Sequence, residues 1–181
     1  MQANKRAQFE DTVLPHLDAA YNLARWLLRN NADADDVTQE ACVRAYRFFD
    51  SFHGGNAKTW LLTIVRHACY TWLRQHRAQK SNTPFDEQLH SAHEAVDGHT
   101  PFCADPETLF LQNADRQLLQ CCLEALPLEY REAVVLRELE GLSYKEIGAV
   151  LDVPIGTVMS RLARGRGLLQ GQRVGHNESE T

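Results

Sequence analysis

Apolar residues recur every three or four positions over most of this chain and almost nowhere alternate, so helices are expected and strands are not. From 7 to 30, Phe9, Val13, Leu14, Leu17, Tyr21, Ala24, Leu27 and Leu28 keep the spacing of an amphipathic helix, with Pro15 either kinking it or marking its true first turn. Asn30-Asn31-Ala32-Asp33 interrupts the pattern. Asp33 or Asp35 is placed to cap a second helix running through Val37, Ala41, Val43, Ala45, Tyr46 and Phe49 to about Phe52. His53-Gly54-Gly55-Asn56 reads as a turn, and a third helix follows from Ala57 to about Gln79 with Trp60, Leu61, Ile64, Val65, Cys69, Trp72 and Leu73 on its apolar side. Core packing is the expected role of Trp72.

Residues 81–106 differ in kind. They hold Pro84, Gly98, Pro101 and Pro106 and no sustained periodicity, which reads as a linker. Helices resume over about Glu107–Ala125 and again after Pro127 to Leu139, with Glu140-Gly141 as a stop. The expected fold is all-α: two small helical domains, 1–80 and 107–171, joined by a flexible acidic linker over 81–106. A polar, frayed tail over 172–181 follows.

The second domain ends in the most informative stretch, Gly141 to Leu169. Ser143 with Glu146 three residues on forms a capping box, so a short helix should start at Ser143 and run to about Leu151. Asp152-Val153-Pro154 breaks it, and Pro154 suits the first turn of a second helix. Ile147, Leu151, Val158 and Leu162 should form the seam between the two, and Gly148 sits where they must approach closely. A helix, a tight turn and a second helix bearing Thr157, Ser160, Arg161, Arg164 and Arg166 is the layout of a DNA-reading helix-turn-helix.

Net charge first argues against that reading, since the chain carries -5. Divided along the sequence, however, residues 1–53 carry -2, 54–80 carry +5, 81–106 carry -5 and 107–181 carry -3. The stretch from Pro154 to Arg173 holds four arginines and no acid. Two basic patches flanking an acidic tether suggest two separate contacts with DNA. Poor overall attraction to phosphates implies that a larger partner supplies the rest.

Other chemistry finds little support. No apolar run reaches the length of a membrane span, and the polar start does not resemble a signal peptide, so a cytoplasmic protein without membrane insertion is expected. The five cysteines form no Cys-x-x-Cys pair, and His90, His93, His99 and Cys103 cluster in the linker without a metal-site spacing, so no metal site is assigned. Neither paired carboxylates, a nucleophile triad nor a phosphate-binding glycine loop can be assembled, so no catalytic residues are expected.

Two blocks carry a family resemblance. Asp33-Ala-Asp-Asp-Val-Thr-Gln-Glu-Ala-Cys-Val-Arg-Ala-Tyr-Arg-Phe-Phe49 followed by Lys58-Thr-Trp-Leu-Leu-Thr-Ile-Val65, and Leu126-Pro-Leu-Glu-Tyr-Arg-Glu-Ala-Val-Val-Leu-Arg137 leading into the helix-turn-helix, resemble an extracytoplasmic-function (group IV) sigma factor of the sigma-70 family. The likeness spans about Phe9 to Leu169. It implies a subunit that binds core RNA polymerase and directs promoter-specific initiation in a stress or envelope/metal response, with promoter DNA and an anti-sigma factor as partners and no cofactor. It further implies that Asp35, Asp36, Gln39, Glu40 and Arg44 form a polymerase-binding strip, where the residues alone suggest only a solvated helix face. Lys58, Trp60, Arg66, His67, Tyr70, Arg74 and Arg77 would meet the minus-ten element, with an extruded base held in a loop around Val65–Tyr70. Thr157, Ser160, Arg161, Arg164 and Arg166 would meet the minus-thirty-five element, and the linker would thread the polymerase interior. His67, Thr71 and Met159 depart from the usual pattern, Met159 standing where relatives often carry arginine. The alternatives are an operator-binding helix-turn-helix regulator and a thiol- or metal-responsive sensor.

Overall fold

The computed structural model describes the backbone of residues 2–81 and 106–177 and the side chains of 4–78 and 116–171. The proposed linker and its His/Cys cluster therefore lie outside the described residues. Among those described there are helices and no strands: α1 (Gln2–Val13), α2 (Leu17–Leu28), α3 (Asn31–Phe48), α4 (Ala57–Ser81), α5 (Pro106–Ala125), α6 (Leu128–Val134), α7 (Tyr144–Leu151) and α8 (Ile155–Asn177).

Pro15 does more than kink the first helix. It sits in a one-turn 3-10 segment, Leu14–His16, that separates α1 from α2. α2 then buries Ala19, Ala20, Leu23, Ala24, Leu27 and Leu28, and α3 answers with a stripe of small residues, Ala34, Val37, Ala41 and Ala45. Small side chains let the two helix axes come close. α4 completes it by burying Leu61, Leu62, Val65, Ala68 and Cys69, while Phe9 of α1 lies edge-on against Tyr46 at 5.2 Å.

The cap of α3 corrects the expectation of Asp33 or Asp35. Arg29 takes a left-handed conformation (φ 61°) that ends α2, and the residue between it and α3 is Asn30. Its side chain accepts from the Asp33 amide at 3.1 Å. Asp33 instead lies in the first turn, where its charge suits the helix dipole. α3 also ends earlier than expected, at Phe48, before a 3-10 turn over Phe49–Ser51. A further correction concerns Val65–Tyr70, which is not a loop. α4 runs unbroken through it because Val65, Ala68 and Cys69 face the core and the stretch contains neither glycine nor proline. The true loop precedes α4, where Gly54 (φ 90°) and Gly55 (φ 101°) reverse the chain.

In the second half, α6 closes in a π turn over Val135–Leu139, after which Gly141 (φ 70°) stops the helix. The capping box forms as expected: Glu146 N–H donates to Ser143 Oγ, and Ser143 N–H donates to the Glu146 carboxylate at 2.8 Å. Asp152 adopts a left-handed conformation (φ 55°) at the end of α7. Pro154 is one position earlier than expected, its carbonyl accepting from Thr157 N–H at 2.9 Å as the cap of α8. Ile147, Leu151, Val158 and Leu162 are all buried in the seam. A Cβ on Gly148 would lie 3.0 Å from the Val153 carbonyl, so the close approach is real. Gly165, unassigned from sequence, is tighter still: a Cβ there would fall 2.8 Å from Val134 Cγ2, so this glycine lets α8 lie against α6. α8 continues to Asn177, past the point where a frayed tail was expected.

The two halves also touch, which the sequence pattern does not indicate. α4 packs against α7 and α2 against α6, and the interface carries polar ties. Lys58 Nζ donates to the Glu140 carbonyl at 2.8 Å and pairs with its carboxylate at 2.9 Å, and Asn56 Nδ2 donates to Glu146.

Candidate nucleic-acid interface

Glu132 is the centre of the interface. It is a carboxylate on α6 left 1% exposed. Burying such a charge is tolerable only if its acceptor positions are filled. Arg66 donates through Nε to Oε2 at 2.9 Å and through Nη2 to Oε1 at 3.2 Å. The Tyr70 hydroxyl donates to Oε2 at 3.0 Å, and Arg161 Nη1 donates to Oε1 at 3.2 Å. Each oxygen thus accepts two hydrogen bonds, close to the capacity of a carboxylate. Burial, followed by the Glu132 charge, pushes the Tyr70 hydroxyl up to about 12, so it stays a donor at any physiological pH. Burial pulls the Arg66 guanidinium down, but hydrogen bonding and charge from Glu132 outweigh it and the net shift is upward.

Residues expected to meet DNA in two different places are therefore joined by one acid. Arg66 and Tyr70 come from α4, and Arg161 comes from α8. Beyond them, His67, Tyr70, Thr71, Leu73, Arg74 and Arg77 line an open cavity of about 510 Å³ that is closed on one side by Leu128 of α6. His67, Arg74 and Arg77 are exposed. Lys58 is engaged by Glu140 as described, and Trp60 packs among Phe49 and Phe52, with ring centroids 6.4 and 5.1 Å away. Trp72 is half-buried and stacks on His76 at 3.6 Å, in keeping with a packing role.

On α8 the expected contacts separate by environment. Arg161 points inward to Glu132, with Glu129 3.7 Å away. Arg164 lies at the surface with Nη1 3.5 Å from the Tyr130 hydroxyl, and Arg166 Nε donates to Glu138 at 3.1 Å across an exposed pair. Ser160 is exposed and its Oγ donates to the Thr157 carbonyl at 3.0 Å. Thr157 is half-buried.

The strip on α3 is distinct from both. Asp35, Asp36, Gln39 and Glu40 are exposed, and Arg44 donates to Glu40 at 2.6 Å. The spacing puts Val43 on the apolar side of this helix, yet it is 54% exposed, and Phe48 at the end of the helix is 59% exposed. Val43 follows Gln39 and Glu40 by one turn, so the strip is a polar surface with an apolar centre.

The thiols carry a direct test of the sensor alternative. Burial pushes the Cys69 thiol up to about 12 and raises that of Cys42, so neither offers a reactive thiolate near neutral pH. Cys121 is exposed while Cys122 is buried. In the native protein, alkylation at pH 8 followed by mass spectrometry should label Cys121 ahead of Cys42, Cys69 and Cys122. Labelling of Cys69 at a comparable rate would contradict this burial.

Two family models match this chain. Residues 12–79 match the Sigma-70 region 2 family and 116–169 match Sigma-70, region 4. The ECF RNA polymerase sigma factor SigE of Mycolicibacterium smegmatis is 36% identical over 173 residues, which cover 96% of this chain and 64% of that protein. This chain thus spans just under two thirds of that relative. The ECF RNA polymerase sigma-E factor of Escherichia coli K12 is 38% identical over 137 residues, 75% of this chain and 71% of that one. Among solved structures, the sigma factor RpoE of Bartonella quintana, in complex with the anti-sigma factor NepR, superposes with a TM-score of 0.71 at 30% identity, over 91% of this chain and 96% of that one.

Proposed function

This chain belongs to the extracytoplasmic-function sigma factors of the sigma-70 family, and on that premise we propose that it is an alternative sigma factor directing core RNA polymerase to a two-part promoter. It acts as a specificity subunit rather than an enzyme, in the cytoplasm where the polymerase is. No helix among the described residues is long and apolar enough to cross a membrane. The observation that carries the reading is the segregation of three surfaces: the α3 strip, the basic face of α4, and α8.

The strip of Asp35, Asp36, Gln39, Glu40 and Arg44, with Val43 at its centre, docks on the polymerase. Arg66, His67, Tyr70, Arg74 and Arg77, with Lys58 and Trp60 at the head of α4, meet the minus-ten element. Cations there follow phosphates while rings stack on exposed bases. The loop available to hold an extruded base is Phe52–Asn56. It borders a groove shared with Thr59, Trp60 and Thr63 of α4, and with Ser143 to Ala149 on the far side. Thr157, Ser160, Arg161, Arg164 and Arg166 serve the minus-thirty-five element, Arg161 by bracing α8 on Glu132 and the others from the surface.

The arrangement on Glu132 gives the free protein a closed state. α4 cannot present Arg66 and Tyr70 to DNA while they are bonded to Glu132, so promoter engagement requires α4 and α6 to part. Arg161 remains on Glu132 when they do, and the buried acid is not left without a partner. Arg131 favours parting. It is 5% exposed with an unpartnered Nε, and burial and then the charge of Arg29 across the interface both lower its pKa. An anti-sigma factor, of the kind seen bound to the Bartonella quintana relative, would act by holding such a state.

The reading is tested by titrating labelled protein against core polymerase without DNA, and against duplex DNA without polymerase. Tight binding to core and weak binding to DNA alone is the expected result, whereas tight unaided binding to duplex DNA as a dimer would favour the operator-binding regulator. Within the holoenzyme, Arg164→Ala should cost about 1–3 kcal/mol and relax preference at one minus-thirty-five position. A uniform loss over all promoter sequences would make Arg164 a phosphate contact instead.

A further inference from the structure

The first turns of α8 lack what a groove-reading helix ordinarily uses. Ile155 to Ser160 contains no charged residue. Arg161 is turned inward onto Glu132, and the Ser160 hydroxyl is bonded to its own helix backbone. What stands at the surface is apolar: Ile155 is 47% exposed, and Met159, one turn later, is 54% exposed. Their neighbours on the outward face are the small residues Gly156, Ser160 and Ala163, all exposed. A Cβ on Gly156 would meet nothing within 4 Å. Met159 is therefore the longest exposed side chain on the first two turns of this helix, and Arg164 is the first cation at its surface.

Single exposed apolar side chains are ordinary on a protein surface, but Ile155 and Met159 adjoin one turn apart and form a small apolar patch that an apolar group of a partner can cover. The edges of base pairs in the major groove present donors, acceptors and one apolar group, the C5-methyl of thymine. Because this face is continuous with the Arg164 surface of the same region 4 helix, the groove floor is the counterpart within reach. We propose that Met159, flanked by Ile155, is a specificity-determining residue that reads thymine methyl groups in the minus-thirty-five element. This rests on the sigma-factor reading above and names what its second domain selects.

The experiment is in vitro transcription by holoenzyme on a promoter library randomised through the minus-thirty-five element, with the recovered winners remade carrying deoxyuridine in place of thymine. Deoxyuridine keeps every hydrogen-bonding group and removes only the methyl. The native chain should enrich thymine at one or two adjacent positions and lose about fourfold in initiation on methyl removal there, the loss expected for one buried methyl. Met159→Ala should initiate on the same promoters but respond less than twofold to the substitution. Enrichment without thymine at any position, or a deoxyuridine promoter used as well as its thymine parent, would overturn the proposal. So would an equal loss for Met159→Ala on every library member, because it would place Met159 against polymerase or another protein. Failure of the holoenzyme to initiate on any member would instead overturn the sigma-factor reading itself. The site is exposed, so the alanine variant is expected to fold, and its urea midpoint should match that of the native chain.

Discussion

Glu132→Ala is expected to cost about 3 kcal/mol of stability and to release α4 from α6. Removing one partner of a buried ion pair leaves the other charge uncompensated, at a typical cost of about 3–5 kcal/mol. The lower end applies because the Arg66 and Arg161 side chains keep 15% and 20% of their exposure and regain some hydration. The effect has two parts that single substitutions can separate. Arg66→Gln breaks one of the ties between the domains and leaves Glu132 with Tyr70 of α4 and Arg161 of α8, so its cost should be near 1 kcal/mol. Arg161→Gln breaks the brace inside the second domain and should cost more. Urea unfolding measures the stabilities, and distances between spin labels on α3 and α8 report the parting. A loss below about 1 kcal/mol for Glu132→Ala, with unchanged label distances, would show that the three hydrogen bonds from α4 to this acid do not hold the closed state.

Leu162→Ala should be comparable in size and different in kind. Leu162 is 1% exposed in the seam with Ile147, Leu151 and Val158, and removal of a buried leucine side chain costs about 2–5 kcal/mol through lost transfer energy and the cavity it leaves. The damage is confined to the region that sets α7 against α8. Transcription that depends on the minus-thirty-five element should therefore fall sharply, while core polymerase is still bound through α3. Retained use of such promoters, despite a measured loss of stability in this range, would contradict the assignment of α8 to DNA.

How far the sequence could be read depended on how local each signal is. The capping box at Ser143 and Glu146, the buried seam and the close approach at Gly148 were legible because each involves residues a few positions apart. Asn30 was missed as the α3 cap because four acceptors, Asn30, Asn31, Asp33 and Asp35, compete over this stretch, and the choice is made by Arg29 turning left-handed at the end of α2. The loop around Val65–Tyr70 was misplaced because it was carried over from resemblance. The burial of Val65, Ala68 and Cys69 and the glycines at 54 and 55 point to Phe52–Asn56 instead. Gly165 carried a signal, a glycine inside a helical pattern, but its partner Val134 is far away in sequence. Glu132 carried none. It looks like an ordinary charge on an amphipathic helix, and its role appears only when α4 and α8 both reach it.

The same distinction divides the candidate site. Residue types and the basic patches single out candidate surfaces on α4 and α8, since charge segregation is visible in one dimension. Which of those cations face outward is a matter of packing. Arg161 and Arg166 have similar sequence surroundings, yet one is braced on a buried acid and the other pairs with an exposed one. Exposure of Val43 on α3 was likewise hidden, because an apolar residue at helical spacing is ordinarily part of the core, whereas Met159 on α8 already stood outside the expected seam.

The most direct test of the central claim is multi-round transcription with purified core polymerase, with and without this protein, on pooled genomic promoter fragments at fixed moderate salt. New transcripts from a discrete set of start sites that appear only when the protein is present, sharing two sequence elements upstream, are the predicted result. An unchanged transcript pattern, together with tight binding of the protein alone to duplex DNA, would contradict it.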